Sequence, residues 1–360
     1  MKTYIKFITF LFIKSFFFVF LISLGLIVIL NILNELDFFK NLFVSTNFII
    51  TLALLNSPPF IFDIFPFIFL LTTQLFFINL FNKNEISIFK YSGLKNSKII
   101  LILSSISLII SILIITIFYN FSSNFKNFYL KLKSPYTDDG KYLAVITKNG
   151  LWIRDKFKDQ ILIINSSRIE NDNLINTFIT EFDKNYNVKR NIWSDKINIK
   201  STKWLIFNPT VFKENNYEKF SEGQFLELNT NFDYEKIQNL FSDLYSLSII
   251  ELLDLRKNYE LLNYSTTDIN LHILKLFSYP FYLVLMTILS SVIMFNIRHY
   301  ESSTFKISLG LFLSVLIYYM NNFANILGKI EKLPLSLSII FPLVIIMTIN
   351  GIMLVKINDK

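Results

Sequence analysis

The sequence predicts an α-helical polytopic membrane protein: six transmembrane helices, three before and three after an inserted extracytoplasmic β-domain. Three observations carry that expectation. The 360 residues are 52% hydrophobic, with 40 phenylalanines against eight glycines and eight prolines, an apolarity beyond that of ordinary soluble domains. Six apolar runs are long enough to cross a bilayer, while the polar interval from Asn120 to Asn270 contains none and carries short alternating segments instead. Basic residues gather at alternate ends of the apolar runs, as the positive-inside rule requires. The Phe, Ile, Asn and Lys richness also fits AT-rich coding and has no functional weight of its own.

Span 1 covers residues 5–33. Lys2, Lys6 and Lys14 lie toward its start and Asp37 after its end, which places the N-terminus in the cytoplasm. The run is too long for a signal-peptide core and no small-x-small site follows it, so it is expected to remain in the mature chain. Span 2, residues 48–81, is long and holds Pro58, Pro59 and Pro66. Proline removes a backbone donor, so a bent or re-entrant outer part followed by a regular helix is expected. Asp63 sits between the prolines. An acid at mid-bilayer is a functional candidate, but a solvated position near the outer interface accounts for it more simply.

Between spans 2 and 3 lies Asn82–Lys98, the stretch around which the chain is organised. Glu85, Ile88, Phe89 and Ser92 fall at helical spacing and Gly93 offers a stop, with Lys83, Lys90, Lys95 and Lys98 around them. This reads as a small amphipathic helix at the cytoplasmic surface. It either docks a soluble partner or lies on lipid headgroups.

Span 3 covers residues 99–118. The insert then offers strand candidates at 143–148, 151–155, 160–165, 176–183, 188–193, 196–200, 203–208 and 225–229. Turn-prone groups such as Lys148-Asn149-Gly150, Asp183-Lys184-Asn185 and Asn208-Pro209 separate them. Many short strands at near-regular spacing predict a β-sandwich or jelly roll. Ser246–Leu262 turns helical, with Ser248 and Glu251 spaced as a capping box. Spans 4, 5 and 6 follow at 273–297, 305–327 and 335–357. Arg298, Lys306, Lys356 and Lys360 mark the inner side, and Lys329 and Lys332 are the main exceptions. Both termini are thus expected inside. Residues 1–120 form the first membrane half with its cytoplasmic helix, 121–270 the β-domain with its returning helix, and 271–360 the second membrane half.

Several chemistries are excluded. The chain has no cysteine, hence no disulfide, thiolate metal site or Cys nucleophile. His272 and His299 stand apart and form no metal constellation. There is no GxxxxGK[ST], HExxH, GxSxG or GxGxxG, so no ATP hydrolysis by this chain and no cofactor are expected. The paired acids Asp138-Asp139 lie in a turn-like context. The net charge of +8 would suggest nucleic acid in a soluble protein. Here membrane topology accounts for much of it, and no nucleic-acid partner is expected.

Pro58, Pro66, Glu85 and Ser92-Gly93 stand in one frame that resembles the LptF/LptG (YjgP/YjgQ) permeases, membrane subunits of the lipopolysaccharide export ABC transporter. Gly150-Leu151-Trp152-Ile153-Arg154-Asp155, Glu181-Phe182-Asp183, Lys203-Trp204-Leu205, Leu247-Ser248-Ile249, Pro334 and Pro342 extend the resemblance over nearly the whole chain. The Gly-Leu-Trp-Ile-Arg-Asp strand is more similar to the LptG branch. The resemblance implies a non-catalytic half-transporter of the bacterial inner membrane. It would pair with a second, LptF-like six-span permease and bind a separate ATPase dimer. It would extract lipopolysaccharide from membrane lipid and pass it through the outer jelly roll to a periplasmic jelly-roll bridge.

The resemblance makes the stretch between spans 2 and 3 the coupling helix, with Glu85 as the contact and Ile88, Phe89, Tyr91, Ser92, Gly93 and Leu94 around it. By the same analogy, spans 1 and 5 form a lateral gate. Phe16, Phe17, Phe18 and Phe20 would offer acyl-chain contacts there, although lipid-facing phenylalanine is as good an account of each. Lys40, Lys126, Lys131 and Lys133 would hold lipid phosphate at the outer rim, or attract headgroups unspecifically. One departure stands out: the family carries basic residues near the outer end of span 1, where this chain has Asn31, Asn34, Glu35 and Asp37 with only Lys40. The competing readings are a permease for another lipid or a membrane sensor with an outer β-domain. The sensor would need a cytoplasmic output domain, and the longest inner segment is the docking stretch. A membrane enzyme would need an interfacial cluster of acids or histidines, and none is seen.

Overall fold

A computed structural model describes residues 3–136, 151–157, 160–170, 172–184, 186–213, 216–219, 224–234, 236–237, 243–262, 265–296 and 302–358. The strand expected at 143–148, the acids Asp138-Asp139, the turn Lys148-Asn149-Gly150 and His299 lie outside them. The chain divides into two compact units, residues 1–126 with 270–360 and residues 127–269.

The first unit is a helical bundle. Helix α1 is Thr3–Phe38, α2 Thr46–Asn82 and α3 Glu85–Tyr91. Helix α4, Asn96–Leu113, runs through a π-helical turn at Ile114–Tyr119 into α5, Asn120–Lys133. Six of the described helices are long and apolar enough to cross a membrane: the segments Thr3–Phe38, Thr46–Asn82, Asn96–Tyr136, Thr267–Asn296, Thr304–Lys329 and Leu335–Val355.

Helix α2 contains no re-entrant break. One helix runs from Thr46 to Asn82 with Pro58, Pro59 and Pro66 inside it. The reason is visible at Pro66. Its missing N–H leaves the carbonyl of Phe62 without a helical donor. The hydroxyl of Tyr279, on the fourth spanning helix, donates to that carbonyl, and its ring stacks on Phe62 with centroids 4.6 Å apart. A neighbouring side chain thus satisfies the freed acceptor, as proline inside a membrane helix requires. One turn on, Ser290 Oγ donates to the carbonyl of Leu70 at 2.9 Å.

The second unit holds an antiparallel sheet. Its strands are β1 Leu151–Phe157, β2 Gln160–Glu170, β3 Asn173–Phe182, β4 Val188–Asn198, β5 Lys203–Phe207, β6 Thr210–Lys213, β7 Asn216–Lys219 and β8 Phe225–Asn229. The order is β1-β2-β3-β4-β5-β8, with β6 pairing β4 and β7 pairing β6. The two segments expected at 188–193 and 196–200 are one strand, because β3 continues opposite both of them. Register places Ile153, Ile164, Ile179, Ile192 and Val211 in one row across the sheet, and all five are buried. The adjacent row carries Trp152, Phe178 and Trp193, which are exposed, as the period of two demands. Helix α6, Ile249–Leu262, opens on the expected capping box: Glu251 Oε2 accepts from Ser248 N and Ser248 Oγ, each at 2.7 Å.

Helices α7, Thr267–Asn296, α8, Ser303–Lys329, and α9, Leu335–Asn358, complete the first unit. Helix α2 packs against α1 and α8, α8 against α9, and α4 against α1 and α9. The 37 residues of α2 place it at the centre of these contacts. From Ile61 onward it is buried on several faces, with Ile61, Phe65, Phe69, Phe76 and Phe77 all withdrawn from the surface.

Candidate functional site

The stretch between the second and third spans is rooted in the bundle by residues on both sides of its helix. Ile86 of α3 and Leu94 beyond it are buried in one apolar cluster with Ile8 and Phe12 of α1, Phe76, Phe77 and Leu80 of α2, and Leu103 of α4. Phe89 packs on the edge of that cluster, and its ring meets Phe7 of α1 edge-on at 6.1 Å. Ile86 and Phe89 are three residues apart, so one face of a two-turn helix carries both. Ser92 ends the helix, its hydroxyl donating to the carbonyls of Ile88 and Phe89 at 3.0 and 2.9 Å. Gly93 follows with φ +78°, the left-handed conformation glycine adopts without steric cost.

The opposite face is open. Ile88 is 63% exposed and Tyr91 91%. Ser87, Lys90, Ser92 and Gly93 are exposed beside them, as are Lys83, Lys95 and Lys98. Glu85 is half-buried in the first turn, where a carboxylate interacts favourably with the helix dipole. Its Oε2 is buried and has no hydrogen-bond partner among the described residues. The expected site residues therefore divide. Leu94 and Phe89 hold the stretch in place, while Ile88, Tyr91, Ser92 and Gly93 form its accessible surface. Ile86 is an anchor that the sequence reading missed; its spacing to Phe89 was the available signal.

The phenylalanines of α1 divide in the same way. Phe16 stacks on Phe65 of α2, with centroids 6.4 Å apart and planes 8° apart. Phe20, one turn on, stacks on the same ring at 6.1 Å. Phe17 and Phe18 are both 57% exposed. A 100° step per residue puts 16 and 20 on one face and 17 and 18 off it.

The four lysines are in different settings. Lys40 forms a 3.1 Å ion pair with Asp37, both exposed. Lys126 donates to Asn56 Oδ1 at 2.9 Å. Lys133 is buried and donates to Tyr129 Oη at 2.8 Å, and Lys131 is exposed. Lys40 and Lys126 belong to the first unit, Lys131 and Lys133 to the second. At the same end of α1, Asn31 donates to Ser57 Oγ at 3.0 Å and Glu35 is buried, whereas Asn34 and Asp37 are exposed, so two of the four residues found in place of basic ones point into the bundle. Asp63 is exposed, with Lys275 of α7 as an electrostatic partner. His272 is buried, with Nε2 2.9 Å from Tyr119 Oη at the end of the π-helical turn. No group of three His, Cys, Asp or Glu residues able to hold a metal occurs among the described residues.

In the second unit the motif residues hold corners of the sheet. Asp155 is buried and accepts from Asn231 N at 2.9 Å and Asn231 Nδ2 at 2.8 Å. Glu181 pairs across strands with Arg190 at 2.5 Å. Trp204 is fully buried, and its indole N–H donates to the carbonyl of Phe232 at 2.7 Å.

Set beside known families, the chain matches the family described as "Lipopolysaccharide export system permease LptF/LptG" over residues 6–356. A comparison with curated proteins found no match.

Proposed function

Because the chain belongs to the LptF/LptG family of lipopolysaccharide export permeases, we propose that it is the LptG-like half of an ABC exporter, driven through α3 by a separate ATPase dimer. In this reading a second, LptF-like six-span permease completes the membrane part. The second unit lies in the periplasm and hands lipopolysaccharide from the inner membrane to a jelly-roll bridge. Both chain termini and α3 are cytoplasmic.

The observation that carries the proposal is the two-sided docking helix. Its inner face, Ile86 and Phe89, and Leu94 beyond its end pack in the bundle core. Its outer face offers Ile88 and Tyr91 among lysines. Tyrosine is one of the residue types enriched among protein-binding hot spots, and rigid rooting is what a contact needs if it is to transmit force.

The test is ATPase capture by the detergent-solubilised complex. Glu85→Ala and Glu85→Lys should insert normally and lose association with the ATPase by about thirtyfold, the size of one interfacial hot spot. Lipopolysaccharide export should fall with it. Wild-type capture by both variants would remove the docking role from α3.

A further inference from the structure

Helix α8, the fifth membrane-crossing helix, is tied to α2 at the end of the bundle that carries α3. Gln74 of α2 has no solvent exposure. Its Nε2 donates to the main-chain carbonyl of Lys306, in the first turn of α8, at 2.8 Å. Four residues on is Gly310. A Cβ built there would stand 2.1 Å from Gln74 Nε2 and 2.8 Å from its Cδ. The carboxamide of Gln74 therefore fills the volume that any larger residue at 310 would need.

Lys306 is itself 6% exposed and reaches back to α2, with Nζ 5.1 Å from the centroid of the Phe81 ring, a cation–π distance. Gln74 and Phe81 are seven residues apart, two turns along one face. Helix α2 thus holds the same residue of α8 at two levels. Phe81 in turn packs on the cluster that contains Ile86 and Leu94 of the docking stretch, with Phe89 beside it. Away from α2, α8 exposes Phe312, Val315, Tyr319 and Phe323.

A buried amide is a costly choice between two membrane helices, where an aliphatic residue packs without polar penalty. Here the cost is compounded, since Gln74 Oε1 is buried without a hydrogen-bond partner among the described residues. What the amide supplies is a directional bond to one carbonyl of one neighbour, the kind of contact that fixes register between membrane helices.

We propose that Gln74 and Gly310 form a strap that makes the first turn of α8 move with the docking helix, so that a push on α3 reaches the fifth span through the end of α2. The proposal rests on reading α3 as the ATPase contact. Gln74 and Gly310 are positioning residues in it, since neither is exposed to a partner.

The absence of cysteine gives a clean background for the test. Spin labels are placed at Asn82→Cys, where α2 meets the docking helix, and Thr304→Cys in the first turn of α8, both exposed positions outside the face offered to the ATPase. The permease is co-purified with its partner permease and ATPase and reconstituted in lipid. With native Gln74, the distance between the labels should stay unchanged when nucleotide is trapped. In Gln74→Leu, ATPase capture and hydrolysis should persist. The distance should shift or broaden on trapping, and lipopolysaccharide extracted per ATP should fall about fivefold, the value of one net buried hydrogen bond.

Gly310→Ala should act alike by displacing the amide. Gln74→Ala combined with Gly310→Ala removes the clash without restoring the bond, leaving only part of the amide's volume filled. That pair should be at least as stable as Gly310→Ala alone and stay uncoupled, which separates coupling from folding. Distances that change in the native chain, or wild-type behaviour of both Gln74→Leu and the double variant, would overturn the strap alone. Failure of the native chain to capture any ATPase would overturn the docking reading and the strap with it.

Discussion

Lys126 and Lys131 differ in what their ammonium groups already touch, and that decides what substitution should do. Lys131 is exposed, whereas Lys126 is half-buried and donates to Asn56. Charge reversal at both, Lys126→Glu with Lys131→Glu, should reduce photo-crosslinking of lipopolysaccharide by about tenfold if both reach phosphate, since such contacts are charge-assisted. Unchanged crosslinking removes them from the rim. Lys133 makes a useful contrast: its amine is buried against Tyr129. The motif residues of the sheet were conspicuous in the sequence for structural reasons. Asp155 and Trp204 each supply a side-chain hydrogen bond to a backbone group at the corner formed by Asn231 and Phe232, where buried main-chain groups need partners.

Among the elements, α2 shows how a neighbour changes what a sequence pattern means. The carbonyl freed by Pro66 is capped by Tyr279. Tyr279→Phe should therefore cost about 1–2 kcal/mol in the full-length chain, as expected for a buried acceptor left unpaired. In a Pro66→Ala background the helix regains its own donor and the cost should largely vanish. Thermal unfolding of the four proteins of this double-mutant cycle measures the coupling; additive costs would mean that Tyr279 does not serve that carbonyl.

The spans were legible in the sequence because length and apolarity alone define them. The choice between a bend and a re-entrant break in α2 was not, since the proline signal is local and the hydroxyl that answers it lies 217 residues away. The same limit applies elsewhere. Segments 188–193 and 196–200 look like two strands until the pairing with β3, which runs along both, joins them. The short strands β6 and β7 lack the length to show alternation. In the docking stretch the helix and its stop were readable from Ser92 and Gly93. Which face turns inward was not, because that depends on the cluster supplied by α1, α2 and α4.

For the molecule as a whole, the proposed topology makes a two-sided prediction. Single cysteines at Lys95, in the docking stretch, and Lys200, beyond β4, occupy exposed positions in a chain without native cysteine. In cells with a permeabilised outer membrane, an impermeant maleimide should label Lys200→Cys directly and Lys95→Cys only after the inner membrane is broken. The reverse pattern would invert the protein and end the coupling model. The division into two units adds a consequence of its own. All three tryptophans, Trp152, Trp193 and Trp204, sit on strands β1, β4 and β5. Indole emission from the intact chain is therefore a built-in optical reporter of the sheet, silent about the helices. A quencher attached to a lipid tail would dim it only on arriving there, and the buried Trp204 and the exposed pair offer two depths at which to watch that arrival.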